Sequence, residues 1–168
     1  PVMRNPHALG NAWLVDSIVW VDNADDEMNA LDAATLDFDH QAVADRRFAD
    51  ILTQAPSLAP GDTIYMTSYT PNKIEYIATT AHGGTGVFSE IYFPWGWNAT
   101  IDGTLAPIAR VNYLLRAVSI PAGTHTIAMT FSPASLKTSG SVAYACVTLI
   151  YLLLAAAIFF ETRRCRLF

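Results

Sequence analysis

The chain has 168 residues, of which 52% are hydrophobic and 15% charged, with ten bases against fifteen acids and a formal net charge of −5. Fourteen of the acids but only seven of the bases fall within residues 1–139, which carry −7. So acidic a stretch has no electrostatic attraction for nucleic acid or for anionic lipid headgroups, and nucleic-acid binding is not expected.

Residues 12–22 (AWLVDSIVWVD) are rich in β-branched and aromatic side chains and read as one strand. Asn23 then stands as a helix N-cap with Asp26 in capping-box spacing, which predicts a short helix over ADDEMNALDAA. Its first-turn acids suit the helix dipole, and Met28 and Leu31 are expected to face inward. A further strand is expected at 41–48, followed by a Pro- and Ala-containing loop at 53–62.

Beyond that loop the pattern is β throughout. Ile64–Tyr69 and Lys73–Thr80 flank a turn at Thr70-Pro71-Asn72. Gly83-Gly84-Thr85-Gly86 reads as a flexible connection, and Val87–Phe93 as a strand. Asp102-Gly103 is the strongest short hairpin signal. Val111–Ile120 is expected as one long strand, turned by Pro121-Ala122-Gly123 into the alternating His125–Phe131. The expected fold is mainly β with a short N-terminal helix (α+β): an antiparallel β-sandwich, then one transmembrane α-helix.

That helix is legible directly. Val142–Phe160 holds nineteen residues without charge, Pro or Gly. At the helical rise this run spans roughly 28 Å, about the hydrocarbon thickness of a bilayer. Three arginines follow within residues 161–168, whereas Lys137 is the one base on the other flank. The positive-inside rule then predicts residues 1–139 outside the membrane, a span at 140–160 and a cytoplasmic basic tail at 161–168. Both cysteines, Cys146 and Cys165, fall in the span or tail, so the outer part is expected to fold without disulfides. The chain opens at Pro1 with no initiator methionine or signal peptide, which suggests the end of a longer protein.

Residues suited to carry chemistry are few. Seven carboxylates crowd Asp22–Asp39 with no base among them. Clustered oxygens suit calcium, but no EF-hand spacing is present, and capping plus a solvated face accounts for most of these acids. Asp37-Phe38-Asp39 has the form of a DxD triplet, a pattern short enough to recur by chance. His7, His40, His82 and His125 lack metal-ligand spacing, and neither a serine-nucleophile motif nor a phosphate loop occurs. No catalytic residue, metal or cofactor is therefore expected in this stretch. The aromatic run Tyr92-Phe-Pro-Trp-Gly-Trp97 is the most unusual feature: its rings would stack on sugars, insert at a membrane interface, or fill a sandwich core. Arg110, Asn112 and Arg116 share strand parity and would project from one face, with Tyr113 beside them. If buried they need partners such as Glu90 or Asp102; a ligand carboxylate, phosphate or sugar hydroxyl is the alternative.

The blocks RNPHALGNAWLV (4–15), WVDNADDEMNAL (20–31), VFSEIYFPWGWNATIDG (87–103) and RVNYLLRAVSIPAGTHTIAMTFSP (110–133), with a terminal span, resemble in order and spacing the C-terminal region of the bacterial YfhO family, in its Bacteroides-type form. Trp95 departs from that pattern. The resemblance implies a large polytopic membrane protein of GT-C-like architecture that adds sugars from a lipid-phosphate-linked donor to cell-envelope polymers outside the cell membrane. It implies that the catalytic acid lies upstream of Pro1 and that this stretch binds acceptor or glycan, with Trp97, Arg110, Asn112, Tyr113, Arg116, Tyr92 and Asp102 as candidate glycan-binding residues. The partners expected are membrane lipid and a lipid-linked sugar or envelope glycan. The rival readings are a single-pass surface module that binds carbohydrate or protein, and a structural cap on a membrane bundle.

Overall fold

The computed structural model describes residues 8–33, 35–53 and 57–165. Residues 54–56 of the expected Pro-containing loop, the end of the expected N-terminal helix at Ala34 and the last residues of the tail lie outside them. The chain divides into two units, Pro1–Phe131 and Ser132–Phe168.

The first unit opens with β1 (Ala12–Val15) and β2 (Ser17–Val21). These are two strands rather than the one expected over 12–22. Asp16 breaks them: its backbone N–H and that of Ser17 both donate to the His40 carbonyl, which turns β2 away to pair with a different partner. Helix α1 (Ala24–Leu31) follows, capped as predicted by Asn23, whose side chain accepts from the Asp26 N–H at 2.9 Å. β3 (Gln41–Asp45) lies parallel to β2, and the rest of the strand expected at 41–48 is a single 3-10 turn, Arg46–Phe48. One expectation fails here. Met28 is exposed, and the helix buries Glu27 instead.

The remaining strands are β4 (Thr63–Thr70), β5 (Lys73–Thr80), β6 (Gly84–Ile91), β7 (Trp97–Ile101), β8 (Thr104–Ala106), β9 (Ala109–Val111), β10 (Leu115–Ile120) and β11 (Gly123–Phe131). They form two antiparallel sheets, β1-β6-β10-β9 and β4-β5-β11-β7-β8. Pro71-Asn72 links β4 to β5, and Asp102-Gly103, both at positive φ, form the predicted two-residue hairpin between β7 and β8. Between the sheets lies one core, with Leu14, Phe88, Val118 and Ile120 on one side and Ile74, Tyr76, Ile127 and Met129 on the other. The Tyr76 and Phe88 rings meet edge to face with centroids 4.7 Å apart. Burial, aided by the Glu90 carboxylate, pushes the Tyr76 hydroxyl up to about 12.

The four-stranded sheet is covered on its other face too. Val15, Val87, Val111 and Ala117 pack there on Ile18, Ala42, Ala44, Phe48 and Leu52. The β2–α1–β3 segment is thus a third layer over a β-sandwich. This double burial explains the glycines at the start of β6. Gly84–Gly86 are not a flexible connection but buried ladder residues; a Cβ on Gly86 would stand 2.6 Å from Ile120 Cδ1.

The second unit is α2 (Ala134–Cys165), a 32-residue helix whose apolar window has a mean hydropathy of 2.4. Large apolar side chains, among them Leu149, Leu153, Ile158 and Phe160, are exposed along it. A helix of this length that is apolar all round matches a bilayer rather than water. The hydroxyl of Thr148, within the apolar run, donates back to the Tyr144 carbonyl, so that polar group is not left unpaired in hydrocarbon.

Candidate functional site

The seven sequence-predicted residues separate into three places. Tyr92, Trp97 and Arg116 come together at one cleft of about 210 Å³, with Phe93, Asn98 and Leu105 among the other lining residues. Trp97 opens β7 opposite Phe131 of β11, and their ring centroids are 5.3 Å apart. Gly96 makes this approach feasible, because a Cβ there would meet Phe131 Cε2 at 2.6 Å. The Arg116 guanidinium lies 4.0 Å from the centre of the Trp97 ring. Such a desolvated cation–π contact contributes about 2 kcal/mol. A bulge before Arg116 breaks the β6–β10 register, and its Nε donates to the Ile91 carbonyl at 2.8 Å. Arg116 is only 3% exposed. Burial pushes its guanidinium down and the Glu90 carboxylate pushes it up, and an arginine stays charged through both. Among the lining residues the ionisable ones are Tyr92 and Arg116, so the cleft offers aromatic edges, an amide and a fixed cation: recognition chemistry.

Arg110, Asn112 and Tyr113 stand elsewhere. The expected long strand over 111–120 is a hairpin, β9–β10, whose turn holds Asn112 and Tyr113 at φ 49° and 65°. Arg110 is paired directly opposite Arg116 on the neighbouring strand, and the two side chains diverge instead of sharing the one face expected of them. Arg110 Nη2 donates to Glu27 Oε2 at 2.6 Å, and Glu27 Oε1 accepts the Tyr113 N–H at 2.7 Å. Asn112 exchanges two bonds with Val43, donating its N–H to the carbonyl and accepting the Val43 N–H on Oδ1, both at 2.8 Å. These three residues fasten the β9–β10 turn to the β2–α1–β3 layer.

Asp102 is at the opposite end of the sandwich. Its Oδ2 faces His125 Nδ1 at 2.6 Å and its Oδ1 accepts the Thr126 N–H. The bond to Asp102 raises the His125 imidazole, and the bond from His125 lowers the Asp102 carboxyl. The histidine contribution is complete below its ordinary value of 6.5 and lost as pH rises through the raised one. The aspartate contribution is complete above its ordinary value of 3.8 and lost as pH falls through the lowered one. Both are present together between 3.8 and 6.5. A thermal-unfolding series across pH should show a stability excess in that window that disappears in His125→Gln; an unchanged profile in the variant would remove the pair from the account.

Asn98 directly follows Trp97 in the aromatic run and was within reach of sequence reasoning; Glu27 and Leu105 gave no local signal. Three more acids of the 22–39 stretch have structural partners: Asp26 at the cap, Asp22 with Arg46 at 2.7 Å, and Asp37 accepting the Asp39 N–H in a turn that takes up the DxD triplet.

A family model described as bacterial membrane protein YfhO matches residues 49–143. Comparison with curated proteins and with solved structures gave no match. The match runs from just after the 3-10 turn through the cleft-bearing strands and into the apolar helix, more than half of the chain. The chain is a membrane-protein region that belongs to the YfhO family.

Proposed function

We propose that the chain is an extracytoplasmic domain and a membrane span of a polytopic YfhO-family glycosyltransferase of the bacterial inner membrane. The whole protein would move sugar from a lipid-linked donor to a cell-envelope polymer. The part described here is non-catalytic and holds glycan at the membrane surface. The arginines of residues 161–168, against the single Lys137, support a cytoplasmic C-terminus and an outer location for residues 1–139.

The observation that carries the reading is the cleft in which Arg116 lies against Trp97, with Tyr92 and Asn98 at its wall. Sugars present apolar C–H faces to aromatic surfaces and hydroxyls to amide, phenol and guanidinium donors, and phosphate suits the guanidinium. Trp97 is also packed against Phe131 and the core, so truncating it would disturb the fold. The cleaner test is Tyr92→Phe with Asn98→Ala, which removes polar groups only. Calorimetric titration of envelope-glycan fragments and polyprenyl-phosphate sugars into the nanodisc-embedded chain should show binding. The double variant should weaken it about tenfold, the equivalent of one or two lost hydrogen bonds, at an unchanged thermal midpoint. No binding by the parent chain, or equal binding by the variant, sinks the proposal. The second reading, a cap on a membrane bundle, is favoured by exposed apolar side chains at one end of the sandwich and predicts no glycan affinity.

A further inference from the structure

The two ends of the sandwich differ in chemistry. At one end β5 runs into Ala81 and His82, β7 turns into β8 at Asp102, and β11 begins beside His125. Asp62 and Asp16 join them there, accepting the N–H groups of Ala81 and Leu58. That end is polar, acidic and knit by side-chain hydrogen bonds.

The other end is apolar. The strand register brings together there the close of β6, the β4–β5 turn, the β9–β10 turn and the last residue of β11: Leu115 pairs with both Ile91 and Val111, and the Phe131 N–H donates to the Asn72 carbonyl. Tyr69, Ile91, Phe93, Trp95, Tyr113 and Leu114 are all substantially exposed at it, Trp95 at 73%. The two rings of the 92–97 loop among them are held in place rather than splayed. Phe93 meets Trp95 edge to face at 5.3 Å and lies 6.4 Å from Phe131. Exposing so many large apolar side chains at one end marks a surface that is covered in use.

What covers it follows from where the chain goes next. Phe131, the residue on which this aromatic group rests, is followed by Ser132 and Pro133 and then by Ala134, the first residue of the membrane-length helix α2. The end that is apolar is the end from which the chain leaves for the bilayer. Tyr and Trp are the side chains enriched at the headgroup level of membranes, since an amphipathic ring has one wet and one apolar part. The net −7 of residues 1–139 excludes attraction to anionic headgroups, so the contact is one of ring insertion rather than charge.

We propose that the loop 92–97, with Trp95 at its tip, is a membrane-interface element through which the sandwich rests its apolar end on a zwitterionic lipid surface. This does not depend on the sugar-transfer reading: glycan affinity and lipid contact are separate measurements, and either can fail alone.

The test uses the full chain reconstituted in phosphatidylcholine vesicles whose acyl chains are brominated near the glycerol backbone. The four tryptophans are Trp13, Trp20, Trp95 and Trp97, and α2 contains none of them, so the helix itself gives no signal. Bromolipid should quench the parent fluorescence, and Trp95→Phe, which keeps an aromatic ring in the loop, should lose more than half of that quenching. Iodide in the water phase should leave Trp95 unquenched. Equal bromolipid quenching in parent and variant would overturn the proposal. So would a Trp95 reached by iodide, which would stand in water, and so would a Trp95 reached by neither quencher, which would be covered by protein as the cap reading predicts.

Discussion

Glu27→Ala is expected to be among the most damaging single substitutions in the β-sandwich unit, costing about 3–5 kcal/mol, the usual effect of removing one partner of a buried ion pair. Glu27 is fully buried and its two oxygens serve two different groups, Arg110 Nη2 at 2.6 Å and the Tyr113 N–H at 2.7 Å. Removing it strands a guanidinium that is itself largely covered and whose Nε already lacks a partner. It also releases the turn in which Tyr113, a bulky residue, is held at φ 65°. A conformation of that kind persists only where its surroundings impose it. Glu27→Gln should be milder, since an amide oxygen can still accept the Tyr113 N–H although the charge on Arg110 is left unmatched. Adding Arg110→Leu to Glu27→Ala should recover much of the loss, because the stranded charge goes with it. Unfolding midpoints of the three variants, followed by near-ultraviolet circular dichroism, check the ordering. If Glu27→Ala costs no more than an ordinary surface substitution, the pair does not fasten α1 to the β9–β10 turn.

The same cluster shows where sequence reasoning reached its limit. Signals that act within a few residues were legible. The Asn23 cap, the Asp102-Gly103 hairpin, the turn at Pro71-Asn72 and the membrane-length helix each depend on local stereochemistry or on composition alone. Signals set across the fold were not. The turn at Asn112-Tyr113 carries neither Gly nor Pro, and its positive φ values are maintained by Val43 and Glu27, so residues 111–120 read as one continuous strand. A helix with three acids in its first turn reads as a solvated face; that one of them is buried depends on an arginine 83 residues away. For the candidate site, parity along one strand grouped Arg110, Asn112 and Arg116 on a single face, whereas the hairpin puts Asn112 in its turn and pairs the two arginines across two strands. Parity could not show that one arginine turns toward Trp97 and the other toward Glu27, because that choice belongs to neighbouring layers.

Gly83 offers a sharper case, because a glycine reads as flexibility in sequence and here is a close contact. Two of the connections that carry the chain from one sheet to the other, β5 to β6 and β10 to β11, pass this point. A Cβ on Gly83 would stand 2.8 Å from the Ile120 carbonyl oxygen and 3.3 Å from the Ala122 nitrogen, both backbone atoms with little freedom to yield. Its φ of 78° adds the left-handed penalty. The Thr80 hydroxyl accepts the Gly83 N–H and donates to the Pro121 carbonyl, so the two crossings are also hydrogen-bonded together. Two other glycines separate the contributions. Gly103 has φ 82° but nothing within 4 Å of an added Cβ, so Gly103→Ala should cost only the conformational penalty of about 1–2 kcal/mol. Gly86 has no positive φ, and its 2.6 Å contact is with the movable tip of Ile120, so Gly86→Ala should cost about 1–3 kcal/mol. Gly83→Ala combines left-handed backbone with an immovable neighbour and should exceed both, at about 3–5 kcal/mol. Denaturant midpoints of the three variants decide it: a Gly83→Ala chain no less stable than Gly103→Ala would mean that the crossings can part, and that the sandwich is closed by its core rather than by this contact.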